Sequence, residues 1–142
     1  MPAANIELQL PSFPQILYLT LEAKRDTVQG TTTATIIQQQ VSNGQLKEAT
    51  VLKKDKLDGV SWEVHLLDAK KKTVSAVRFT DPLVQVHEYT NDKGEFIKTT
   101  IKLTRVEIPL RMSCNNSVKN IQVKEISDSN KEKLILFSNL NL

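Results

Sequence analysis

Ile16-Leu-Tyr-Leu-Thr-Leu-Glu-Ala-Lys24 places Leu17, Leu19, Leu21 and Ala23 in one phase of a two-residue repeat. A period of two puts alternate side chains on opposite faces of an extended chain, so the run has one face to bury and one to wet. Trp62-Glu-Val-His-Leu66 repeats the arrangement. Runs of this kind recur from Ile16 to Leu140, broken by turn residues about every ten positions, the spacing of an antiparallel sandwich or barrel. No stretch of useful length carries a helical period, an internal repeat or a linker, so residues 1–142 read as one all-β domain.

Following the punctuation along the chain gives about nine strands. Residues 6–10 alternate and then meet Pro11-Ser-Phe-Pro14, which makes residues 1–14 an arm or a short edge strand. Residues 26–30 turn the chain, and residues 31–41, rich in Thr and Ile, suit a pleated surface. Ser42, Asn43 and Gly44 form a hairpin signal, since Asn-Gly favours the positive φ angles of a type I′ turn. Residues 46–54 are the expected return strand, and residues 53–59 a solvated turn.

Strands are expected again at 60–67, 73–80, 83–90 and 95–103, the last two flanking a second turn at Asn91, Asp92, Lys93 and Gly94. Ile97, Ile101 and Leu103 share one phase; Val106, Ile108, Leu110 and Met112 take the other. That change at Thr104-Arg105 implies a bulge or a crossing between sheets. Pro109 puts the later half at an edge, where a missing N–H costs little. Asn115-Asn-Ser117 turns the chain into strands at 120–126 and 134–140. The faces expected inside include Leu19, Leu21, Val64, Leu66, Ile101 and Leu103.

With 142 residues the chain is long enough to bury a core without staples. Nineteen basic and sixteen acidic side chains, interleaved, leave a net charge of +3. A nucleic-acid surface concentrates its charge and adds stacking rings, and this chain has only one Trp, two Tyr and four Phe, so no nucleic-acid partner is expected. The longest apolar run falls far short of the roughly 20 residues a membrane helix needs, so no membrane insertion is expected. Met1-Pro-Ala-Ala-Asn5 lacks a signal-peptide pattern. The Ala-Ala start suits a mature form that has lost its leader, which points to a secreted, periplasmic or cell-surface setting. Cys114 stands alone, which excludes an internal disulfide and reads as a small buried hydrophobe.

Trp62 with Val64 and Leu66 on a mid-chain strand resembles the core strand of immunoglobulin-like domains. Val106-Glu-Ile-Pro-Leu-Arg-Met112, then residues 115–119 and Ile121-Gln-Val123, resemble the last strands of an immunoglobulin- or fibronectin-type fold. The resemblance covers the second half of the chain and implies an antiparallel two-sheet sandwich. The Cys pair of antibody domains is missing, so it carries no particular activity.

The candidate chemistry is thin. His65 alternates with Trp62, Val64 and Leu66 and is expected to face solvent; His87 shares a face with Leu83, Gln85 and Tyr89. Neither has metal-ligand spacing, and no metal or other cofactor is called for. Asp128-Ser-Asn-Lys-Glu132 is a fragment of a calcium loop without its central Gly, and reads as a polar turn. Asn115-Asn-Ser117 matches a glycosylation acceptor, usable only in a eukaryotic secretory setting. There is no Gly-x-Ser-x-Gly elbow and no Gly-rich oxyanion loop, and four glycines in all make a poor kit for an active site.

The expected function is therefore non-catalytic binding, with another protein as partner, through sheet edges or the loops at Ser42, Asn43, Gly44 and Asn91, Asp92, Lys93, Gly94. A carbohydrate-binding module is the alternative, with Trp62, Tyr18 and Tyr89 as its candidate rings. An enzyme of unknown type is third.

Overall fold

A computed structural model of the chain describes residues 14–46 and 59–142. The expected strand at 6–10, the prolines before Pro14 and nearly all of the expected strand and turn over 46–58 lie outside those residues. The described residues form nine strands and no helix: β1 (Gln15–Asp26), β2 (Thr31–Asn43), β3 (Ser61–Asp68), β4 (Thr73–Thr80), β5 (Val84–Thr90), β6 (Phe96–Lys102), β7 (Arg105–Cys114), β8 (Val118–Ile126) and β9 (Glu132–Asn139). All pairings are antiparallel, in three sheets ordered β2-β1-β7, β4-β3-β8-β9 and β5-β6. Among the described residues no helix is long and apolar enough to cross a membrane.

The alternation in β1 explains its central place. Leu17, Leu19, Leu21 and Ala23 are buried in one phase, and Tyr18 and Lys24 of the other are exposed. Thr and Ala at the start of β2 pair with its far end, from Ala23↔Ala34 to Asp26↔Thr31. Between them Asp26 closes a tight turn: its Oδ1 accepts the N–H groups of Val28 (2.9 Å) and Gln29 (3.1 Å), and its carbonyl accepts that of Gly30 (2.7 Å). Gly30, at φ 69°, holds the left-handed conformation this turn needs.

One hydrophobic cluster joins the two larger sheets. Leu17, Leu19, Leu21, Ile108 and Met112 come from the first, and Trp62, Val64, Leu66, Ile121 and Val123 from the second. The sheets also meet at their margins: β4 lies against β7, where Ser75 Oγ donates to the Ser113 carbonyl at 2.7 Å. On the other side β2 lies against β9, where Gln39 Nε2 donates to the Asn141 carbonyl at 3.2 Å. Pro109 sits on β7, an outer strand whose described partner is β1 alone, as its missing N–H requires.

Three sequence expectations are corrected. Ser42 and Asn43 are not a hairpin tip: they extend β2, opposite Ile16 and Gln15. Gly44 N donates to the Pro14 carbonyl at 3.0 Å, and Asn43 does not take the positive φ of a type I′ turn. A local Asn-Gly preference of this kind yields to a ladder that continues past it. Ile101 is not core but 40% exposed, because β6 belongs to a sheet of two strands over which no other described strand is layered. His65 is not at the solvent face; its side chain keeps 14% of its surface, enclosed by neighbours on β3 and β4.

Candidate functional site

β5 and β6 pair with each other and, among the described residues, with no other strand. The hairpin is rooted in the body by Asp81-Pro82-Leu83. Asp81 is buried: its Oδ1 accepts Leu83 N–H at 2.9 Å, its Oδ2 accepts Arg25 Nη2 at 3.1 Å, and its own N–H donates to the Val60 carbonyl at 2.9 Å. Leu83 is fully buried beside it. On the return side Leu103 N donates to the Leu83 carbonyl (2.7 Å), and Arg25 N to the Thr104 carbonyl (2.9 Å). Arg105 and Lys24 flank this root and both reach Glu22, at 2.6 and 3.2 Å, so the Arg105 guanidinium, then the ammonium, hold the Glu22 carboxyl below the usual carboxylate range.

Beyond the root the ribbon carries apolar groups on both faces. One face holds Val84, Val86, Thr100, Phe96 and the ion pair Glu88–Lys98 (3.4 Å). The other holds Tyr89, Ile97, Ile101, and His87, whose Nε2 lies 3.3 Å from Gln85 Oε1. Phe96 is 84% exposed, Val86 59% and Tyr89 52%. Apolar groups this bare on a two-stranded ribbon are not explained by core packing.

The tip is the turn expected at Asn91, Asp92, Lys93 and Gly94. Asn91 Oδ1 accepts from Lys93 N (2.9 Å) and Glu95 N (3.0 Å), Asn91 N donates to the Glu95 carbonyl (3.0 Å), and Gly94 takes φ 75°. This loop is far from the other expected one. The hairpin root adjoins the Arg25 end of β1, while Ser42, Asn43 and Gly44 adjoin its Gln15 end, about 33 Å away at 3.3 Å per residue. The pattern in the sequence signalled the turn but not the bare rings. The signal for them was the failure of clean alternation in residues 84–102, where apolar residues occupy both phases.

The other sequence candidates fall elsewhere. Trp62, the best ring for a sugar to stack on, has no exposed surface. His65 Nε2 lies 2.9 Å from Glu63 Oε1 and its Nδ1 3.1 Å from Thr73 Oγ1, while Arg78 Nε donates to Ser61 Oγ at 3.1 Å and stands 3.8 Å from Glu63 Oε2. These groups are same-face neighbours along β3 and across to β4, so the bonds satisfy a half-covered polar row. Asn115 closes an Asx turn with Ser117 N–H (2.8 Å) and lines a cleft of about 500 Å³ with Gln15, Val41, Lys119 and Leu140. Cys114 is buried, and burial pushes its thiol pKa up. Among the described residues no three His, Cys, Asp or Glu side chains are grouped as metal ligands would be. Comparison of the chain with family models, curated proteins and solved structures gave no match.

Proposed function

We propose that this chain is an immunoglobulin-like two-sheet sandwich that acts by binding another protein, and that the β5–β6 ribbon is its docking element. The fold part of the reading is supported by strand order. In immunoglobulin domains the strand that carries the core Trp lies next to the sixth, which lies next to the last. Here β3, with Trp62, lies next to β8, and β8 next to β9. β1 beside β7 matches the second-to-fifth strand pairing of that fold. The departure is β2, which follows β1 in the chain yet takes the outer place that the first strand holds in those domains. The cluster shared by the sheets holds the single Cys114 and no Cys pair.

The binding part rests on one observation: a two-stranded hairpin that shares its sheet with no other described strand and bares Val86, Tyr89 and Phe96. A lone hairpin is marginal in water, and apolar patches held out by a rigid body mark interaction surfaces. The rooted base and the closed tip present it as a preformed element, which lowers the ordering cost of docking.

The test is a pull-down with the full chain beside Phe96→Asp and Tyr89→Asp. Neither side chain supports the core, so unfolding midpoints should stay within about 0.5 kcal/mol of the parent. Protein partners captured by the parent should be lost from both variants. Partners retained by both, with folding intact, would place the binding surface elsewhere.

A further inference from the structure

The β5–β6 ladder runs without a register shift from Val84↔Lys102 to Thr90↔Phe96. Every other outer strand among the described residues carries a guard against further pairing. β2 has an extra residue at Ile37, β4 at Val74 and β9 at Ile135, each skipped by the register with its neighbour, and β7 has Pro109. Bulges and prolines of this kind blunt an edge. β5 and β6 have neither.

Backbone direction on this ribbon follows from its two ends. Leu103 N donates to the Leu83 carbonyl and Asn91 N to the Glu95 carbonyl. Hydrogen-bonded and non-bonded pairs alternate in an antiparallel ladder, so Gln85, His87 and Tyr89 turn their peptide groups toward β6. Val86, Glu88 and Thr90 turn theirs outward. On β6 the outward residues are Phe96, Lys98, Thr100 and Lys102.

Charge separates the two edges. β6 carries Lys98 and Lys102 with no acid; Glu88 matches Lys98 across the ribbon, so two β6 edges laid together would bring two unmatched Lys102 ammonium groups onto one face. β5 carries a single charged side chain, Glu88, already matched by Lys98 across the ribbon at 3.4 Å. A β5 edge can therefore meet its own copy without uncompensated charge.

Resting on the reading of the ribbon as a docking element, we propose that its partner is a second copy of this chain, paired β5 to β5, antiparallel, about a two-fold axis at His87. In this register Val86 of one copy exchanges both backbone bonds with Glu88 of the other, and Thr90 faces Val84. Tyr89 of one copy lies opposite Gln85 of the other, which continues the Tyr89–Ile97 row across the axis. Two marginal hairpins become one four-stranded sheet, and the two-fold closes so that no filament follows.

The experiment is light scattering of the full chain over a dilution series, with two proline variants and two cysteine variants. The parent should be a dimer. Val86→Pro removes an outward N–H that the β5–β6 ladder does not use, and should weaken the dimer about tenfold or more. Thr100→Pro makes the same change on the β6 edge and should leave it intact. His87→Cys, at the axis, should give a disulfide-linked dimer under mild oxidation, and Thr99→Cys should not. A monomeric parent, equal loss in both proline variants, or a dimer that His87→Cys fails to cross-link would overturn the proposal. If the parent is monomeric while Phe96→Asp still abolishes capture of a different protein, self-pairing fails alone and the broader reading stands.

Discussion

Trp62 has no exposed surface, packs 6.4 Å from Phe79 ring to ring, and its indole N–H has no hydrogen-bond partner among the described residues. Truncation to Ala should therefore cost ~3–5 kcal/mol in urea unfolding, the range for large core rings. Trp62→Phe should cost less than its lost volume suggests, because an unmade buried hydrogen bond carries a penalty of about 1–3 kcal/mol that leaves with the indole. Cys114 gives a second expectation. Burial raises its folded pKa above the unfolded one, so the stability tied to the neutral thiol is complete below the unfolded pKa. That stability drains as pH rises through the folded value. Thiol labelling near neutral pH should be slow in the native protein and fast in denaturant, and Cys114→Ala should lose less stability than the parent on alkaline titration. Equal labelling rates in both states would show the thiol to be accessible. Trp62 was legible in the sequence because its neighbours Val64 and Leu66 keep its phase, and Cys114 because a lone cysteine in a strand pattern reads as a small buried hydrophobe. Ile101 keeps the same kind of phase and is nonetheless exposed, because phase says which face a residue takes and not whether a second layer covers it.

At the scale of elements the same contrast recurs. Asn91–Gly94 became the turn its residues favour because the runs on either side pair with each other. Asn43–Gly44 did not, because β1 offers a partner two residues further along than a tip at Ser42 would allow. Turn propensity is local, whereas the ladder that overrides it joins residues 28 positions apart, Gln15 with Asn43. The candidate site hangs on another such long-range contact. Asp81 links β1, the Val60 segment and the hairpin root through Arg25, the Val60 carbonyl and Leu83 N–H. Asp81→Ala leaves the Leu83 N–H without its acceptor and the half-buried Arg25 head with Thr32 Oγ1 but without its carboxylate partner, and should cost about 1–3 kcal/mol. It should also speed amide hydrogen exchange in β5 and β6 more than in β1 or β8. Uniform acceleration through all strands would mean that Asp81 serves global stability rather than the root. Neither Arg25 nor Asp81 stood out in the sequence, since 56 positions separate them and each looks like an ordinary surface charge.

At the scale of the whole molecule, the nine strands of the described residues, their antiparallel order and the burial of β1 and β3 were readable from periodicity, while sheet membership was not. Nothing in residues 15–26 names residues 105–114 as their neighbours, yet β1 lies between β2 and β7. Sheet membership has a thermodynamic consequence. Leu17, Leu19, Leu21 and Met112 share one cluster with Trp62, Val64, Ile121 and Val123, so neither larger sheet keeps its buried face if the other leaves. A chain of this size with one shared core should unfold in one step. Trp62 fluorescence, which reports the four-stranded sheet, and far-UV circular dichroism, which reports all strands, should therefore give coincident urea transitions. The β5–β6 ribbon contributes Leu83 and Leu103 at its root but bares its outer apolar groups, so its amides should exchange by local opening well below the global free energy. A fluorescence transition clearly separated from the dichroism transition would show that the two sheets hold together independently and that the shared cluster does not couple them.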